Sequence, residues 1–287
     1  MTQSIVPEDT PLGRELRDAV KCARLLLVCG VPSSGKSLIF QQLAILAHEG
    51  GRRVHGLQWD DARHGFETQK WLSIYPDPAP GTTHPAIRKS IGLWVRDGIV
   101  RWADENRDAT NILLVELPVV GGRLVELLQP KDDAAEGLLA SSETIVLTPV
   151  PTNAVRRRLE EFRAKTSASP RNSGEAMEAA PSVVQAAWLE ARALYDRWYN
   201  SSGEPELVQS YDATICSAVF QRLNRHRHSR LLQIDRIYET QGSTYDRSVE
   251  VTVLRPTDAE VVTAYARLSL LIAKHGTEGA VDGWADY

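Results

Sequence analysis

The sequence predicts an α/β fold, a parallel sheet with helices on both faces and a lid or helical insertion. Three observations carry that reading. Short apolar runs bounded by turn residues alternate along the chain with stretches of helical periodicity. The runs are continuous rather than alternating, the pattern of strands covered on both sides. A glycine-rich turn joins the first run directly to the first long helical pattern.

The strands are expected at residues 25–29, 53–58, 112–117, 144–148, 231–234 and 249–253. The third is stopped by Pro118 and the fourth by Pro149 and Pro151. A helix over 36–48 ends at Gly50-Gly51, in the manner of a C-terminal glycine. Residues 85–106 place Ile87, Ile91, Trp94, Val95 and Ile99 at helical spacing, and Val184, Trp188, Ala191, Tyr195 and Trp198 repeat the pattern. A last helix over 257–274 opens on Thr257-Asp258-Ala259-Glu260, the form of a capping box. Residues 165–181 carry serines, Pro170, Asn172 and Gly174 with almost no large apolar groups, and read as a surface loop or part of a mobile lid. The chain is read as a single domain over 1–287, with 166–229 forming a lid or helical insertion within it.

Composition narrows the class. The chain is 43% hydrophobic and 24% charged, ordinary for a folded globular protein, and its net charge of −4 argues against a dedicated nucleic-acid binder. Three cysteines without metal-ligand spacing point to a reducing compartment. No run approaches a membrane span, and the polar, acidic first residues do not read as a secretory signal, so a cytoplasmic location is expected.

The chemistry concentrates at Gly30-Val31-Pro32-Ser33-Ser34-Gly35-Lys36-Ser37, which has the form G-x-x-x-x-G-K-S. The first glycine turns the chain sharply out of the strand, and the loop amides then point inward around an anion. Gly35 keeps a side chain away from the phosphate, Lys36 brings a positive charge to it, and the Ser37 hydroxyl can ligate Mg²⁺. The start of a helix adds its positive dipole end.

Ligands of open α/β sheets collect beyond the carboxyl ends of the strands. There the second strand runs into Trp59-Asp60-Asp61. Either carboxylate can orient an acceptor hydroxyl or take its proton, and an N-cap with solvated charges is the alternative. Trp59 is the tryptophan expected to line a substrate pocket. Glu116 follows an apolar run, the position of a metal-side acid. Gly121-Gly122-Arg123 reads either as backbone passing a substrate pocket or as an ordinary turn. Arg156, Arg157, Arg158 and Arg163 lie on a helix with Leu159 and Phe162 inward, and with Arg171 they are lid candidates for phosphate recognition. The run Arg225-His226-Arg227-His228 with Arg230 reads as a solvated helix end.

Taken in order, Gly30 to Ser37, the Gly50-Gly51 lead into Asp60-Asp61, and Leu114-Val115-Glu116 resemble the P-loop small-molecule kinases of the P-loop NTPase superfamily. The likeness is to the uridine kinase, phosphoribulokinase and pantothenate kinase group, and covers roughly residues 24 to 165. Leu117-Pro118 stands where that group often has a glycine after the acid. The resemblance implies the parallel-sheet P-loop NTPase fold, ATP with GTP as the alternative, Mg²⁺, and transfer of the γ-phosphate to a small hydroxylated acceptor. It makes Asp60 or Asp61 the candidate base and Glu116 the metal-side acid. A regulatory or motor NTPase is the competing expectation, and a nucleotide-binding scaffold a third.

Overall fold

Six strands form one sheet with every pair parallel: β1 Leu25–Cys29, β2 Arg53–Gln58, β3 Asn111–Leu117, β4 Thr144–Pro151, β5 Ser229–Ile234 and β6 Val251–Val253. Their order across the sheet is β5-β4-β1-β3-β2-β6. The computed structural model describes residues 3–79, 81–168, 180–200, 210–240 and 249–287. The helices are α1 Pro11–Cys22, α2 Lys36–Glu49, α3 Trp59–Phe66, α4 Gln69–Ile74, α5 Pro85–Glu105, α6 Glu136–Leu139, α7 Asn153–Ala168, α8 Pro181–Tyr199, α9 Ala213–Leu223 and α10 Asp258–Val281. No helix among the described residues is long and apolar enough to cross a membrane.

Alternation along each strand divides the apolar side chains between two cores, because successive residues point to opposite faces. Leu26 and Val28 of β1, with Ile112 and Leu114 of β3, meet α1 and α2 through Leu16, Ile39 and Leu43. Leu25, Leu27 and Cys29, with Leu113, Val115 and Leu117, face the other way. There they meet α3, α5, α9 and α10 through Phe66, Trp94, Phe220 and Leu268. Both faces being covered explains the unbroken apolar runs of β1 and β3. Truncating any of these buried leucines to alanine removes roughly 2–5 kcal/mol.

The connections create a crevice. β1 leads through α2, packed on one face, while β3 leads through the short turns around α6 on the other. Neighbouring strands whose connections diverge to opposite faces leave a gap beyond their carboxyl ends. The glycine loop sits at that gap.

The capping box of α10 forms as read: Thr257 N–H donates to Glu260 Oε2 at 2.8 Å, and Glu260 N–H to Thr257 Oγ1 at 3.3 Å. Three expectations are corrected. β4 does not stop at Pro149 but runs through it to Pro151. The amides of Val146 and Thr152 donate to β5-side carbonyls, so odd-numbered positions turn toward β1. β1 pairs with β4 only as far as Leu147, so each proline lacks a donor where no strand stands to accept it.

On α7 the expected faces also differ. Arg156 is 1% exposed and Phe162 is 58% exposed, because Arg156 is drawn in by the loop carbonyl of Pro32 and by Glu160, to which it donates at 2.6 Å. The basic run after α9 is not a solvated end. Arg227 is buried, donates to the carbonyls of Leu127 and Gln129, and pairs with Glu136 at 2.7 Å. Arg230 pairs with Asp18 and Glu15 of α1.

Candidate functional site

The eight residues from Gly30 to Ser37 bridge β1 and α2, with Lys36 and Ser37 opening the helix. Gly35 holds φ +93°, a conformation side-chain-bearing residues resist, and a Cβ there would meet no atom within 4 Å. Ser33 adopts φ +60°. The Gly30 amide donates back to Leu117 O at 3.3 Å, pinning the loop to β3. The hydroxyls of Ser33 and Ser34 are buried and have no hydrogen-bond partner. Unsatisfied buried polar atoms are rare, and a pair of them in one loop calls for a ligand that accepts hydrogen bonds.

Lys36 is 7% exposed, and its ammonium donates to Val31 O at 3.0 Å. Burial pushes its pKa down to about 8, against the pull of the Glu116 carboxylate, while Arg163 and Arg156 push the same way as burial. Its charge is therefore short of counter-charge where it lies.

Glu116, near the end of β3, is joined to the loop directly. Its Oε1 accepts from Ser37 Oγ at 3.2 Å and its Oε2 from Gln58 Nε2 at 2.8 Å. The register explains this meeting, since Gln58 pairs with Glu116 across the β2–β3 ladder. Asp60 and Asp61 lie in the first turn of α3, whose N-cap is Gln58, so neither acts as the cap. Their surroundings differ. Asp60 lies 3.5 Å from Arg63, and burial raises its pKa despite that arginine, with the Glu116 charge adding to the rise. Asp61 lies 3.7 Å from the exposed Arg255. Trp59, expected beside the substrate, is instead buried in the apolar core.

The arginine helix lies against the loop. Arg156 Nη1 donates to Pro32 O, its Nη2 is buried without a partner, and its guanidinium covers the ring of Tyr211 at 5.1 Å. A cavity of about 450 Å³ opens here, lined by Ser33, Arg156, Arg157, Arg163, Trp188 and Tyr211 among others. Arg158 is exposed and does not line it. Arg171 lies outside the described residues. A larger cavity, about 710 Å³, lies at the amino ends of the strands beside Arg24, Arg52 and Glu143. Arg52 there already donates to four carbonyls, of Val20, Ala23, Ala109 and Asn111, so its role is to tie chain segments together.

No family model, curated protein or solved structure matches this chain. The functional argument rests on the geometry. Main-chain amides at a helix start, one lysine and two buried hydroxyls suit a phosphate chain. The Ser37 hydroxyl and Glu116 carboxylate, already in contact, offer two hard oxygen ligands. Among the described residues no group of three or more His, Cys, Asp or Glu is placed to hold a metal by itself. Two protein oxygens fit Mg²⁺, which is usually shared between one or two side chains and bound phosphates.

Sequence reasoning missed Gln58, Arg63, Arg88, Glu190 and Tyr211. Gln58 closes the expected second strand, and Arg88 and Glu190 lie on two expected helices, but the pattern gave none of them a role. Arg123 belongs to the Gly121-Gly122-Arg123 stretch that reads either as backbone passing a substrate pocket or as an ordinary turn. Burial pushes its pKa down to about 10, with Arg88 the next contributor.

Proposed function

We propose that the chain is a Mg²⁺-dependent phosphotransferase of the P-loop NTPase superfamily, moving the γ-phosphate of ATP, or GTP, onto a small hydroxylated acceptor. The single observation that supports this best is the linkage Ser37–Glu116–Gln58 with Asp60 two residues beyond. It joins the glycine loop to a carboxylate on the far side of the crevice.

The loop from Gly30 to Ser37 holds the phosphates through main-chain amides at the start of α2, and Lys36 supplies the balancing charge. Ser37 and Glu116 would hold Mg²⁺, which when bound would neutralise charge on the phosphates. Asp60 receives the acceptor's hydroxyl proton at its carboxylate, a role that suits a pKa raised toward neutrality. Arg156, Arg157 and Arg163 close the cavity on the other side and exclude water from the phosphates. Catalysis of this kind is positioning and charge compensation more than covalent chemistry.

The test is incubation of the protein with γ-labelled ATP, Mg²⁺ and a metabolite extract, followed by mass spectrometry. Label on an organic acceptor is expected. Label appearing only as free phosphate would assign the chain instead as an NTPase that couples hydrolysis to a conformational change.

A further inference from the structure

Beyond Asp60 the carboxyl edge of the sheet carries a cluster of charge that the transfer chemistry does not use. Arg123 follows the Gly121-Gly122 turn after β3, Arg88 comes from α5, and Glu190 from α8. They converge over Gly121. A Cβ placed there would lie 2.6 Å from Arg88 Nη1, 3.4 Å from Arg123 Nη1 and 3.5 Å from Glu190 Oε2.

Two guanidinium groups thus crowd one spot with a single carboxylate between them. That carboxylate also accepts from Trp284 Nε1 at 3.1 Å. Arg63, paired with Asp60 at 3.5 Å and Glu67 at 3.3 Å, adds further positive charge on this side. Arg123 Nη1 donates to Val120 O at 2.8 Å, and Arg88 Nε is buried without any hydrogen-bond partner. Burial lowers the pKa of both arginines, Arg88 pushes Arg123 down further, and Glu190 eases both only in part. A planar fork with an unspent donor, beside a second cation and short of counter-charge, is the arrangement that takes a carboxylate or phosphate.

We propose that Arg88 and Arg123 seat an anionic group of the acceptor, so that the acceptor is a hydroxylated carboxylic acid or a phosphate ester rather than a neutral polyol. The word acceptor rests on the proposed phosphotransferase reading; the anion site does not. Asp60 lies within electrostatic reach of Arg123 on one side and of Glu116, which accepts from Ser37, on the other. An acceptor anchored by its anion therefore brings its hydroxyl to the carboxylate side of the crevice.

Orthophosphate, and acetate in parallel, are titrated calorimetrically into the whole chain in two backgrounds. One is the native protein saturated with Mg²⁺ and a non-hydrolysable ATP analogue, which fills the glycine loop; the other is Lys36→Ala without nucleotide. One binding event is expected in each, weakened roughly tenfold or more by Arg88→Gln and by Arg123→Gln and restored in part by Arg88→Lys. Glu190→Gln, which removes the competing carboxylate, is expected to tighten binding several-fold. That gain cannot come from a damaged fold. The tighter of the two anions names the acceptor's group. No binding in either background, or binding indifferent to all four changes at Arg88, Arg123 and Glu190, overturns the proposal. If the ATP analogue fails to bind while Lys36→Ala still takes an anion in an Arg88-dependent way, the anion seat stands and the nucleotide reading falls.

Discussion

Lys36→Met is expected to make the ligand-free protein more stable. The Lys36 ammonium is 7% exposed and its pKa falls from 10.5 to about 8 on folding. A cation so displaced burdens the folded state by roughly 3 kcal/mol at any pH below both values. Methionine is unbranched and fills nearly the same space without a charge. The change also deletes the bond to Val31 O at 3.0 Å, worth about 1 kcal/mol, so the net gain near pH 7 is roughly 2 kcal/mol. The sign follows from proton binding. Between pH 8 and 10.5 the folded lysine has released its proton while the unfolded one keeps it, so native stability rises with pH through that window and the burden fades. At about pH 9.5 the methionine advantage is expected to fall below about 1 kcal/mol. Urea melts of both proteins at the two pH values, without nucleotide or Mg²⁺, measure this directly. A methionine variant less stable at neutral pH, or a gain equal at both pH values, would show that the lysine is not held against its own solvation.

Other changes separate the proposed roles. Asp60→Asn is expected to spare nucleotide binding and cut transfer by a factor on the order of 10²–10⁴. It should also erase the acid limb of kcat/KM, which in the native protein lies above the usual aspartate range because burial raises the Asp60 pKa. Asp61→Asn weakens the pairing with Arg255 at 3.7 Å, Arg255 being 67% exposed, and is expected to leave turnover nearly unchanged and stability within about 1 kcal/mol in a denaturant melt. Glu116→Gln is expected to leave the fold intact but remove most of the Mg²⁺ dependence of nucleotide affinity, read by titration with and without the metal. Gly35→Ala forces a side chain into φ +93°; thermal melts should show a loss of about 1–2 kcal/mol, and nucleotide affinity should fall with it as the strained loop shifts.

Much of this architecture was legible in the residue order. β1, the glycine loop and α2 form a contiguous pattern in which each local preference agrees with the next. Thr257 and Glu260 mark a helix start through bonds they make with each other. What escaped depends on partners distant in the chain. Pro149 and Pro151 fit inside β4 because β1 pairs only up to Leu147, which no reading of β4 alone contains. Arg227 is buried because Glu136 and the Leu127 carbonyl meet it from about a hundred residues earlier. The differing surroundings of Asp60 and Asp61 come from the phase of α3, whose N-cap is Gln58. Arg88 carried no signal at all, since its meaning arises where α5 crosses the Gly121 turn.

The most direct measurement is a calorimetric titration of the folded chain with ATP, and separately GTP, in the presence of Mg²⁺. One nucleotide per chain is expected, with affinity reduced by roughly a hundredfold or more in Lys36→Met. Absence of heat with both nucleotides, from protein shown to be folded by its melt, would contradict the assignment of Gly30 to Ser37 as a phosphate cradle.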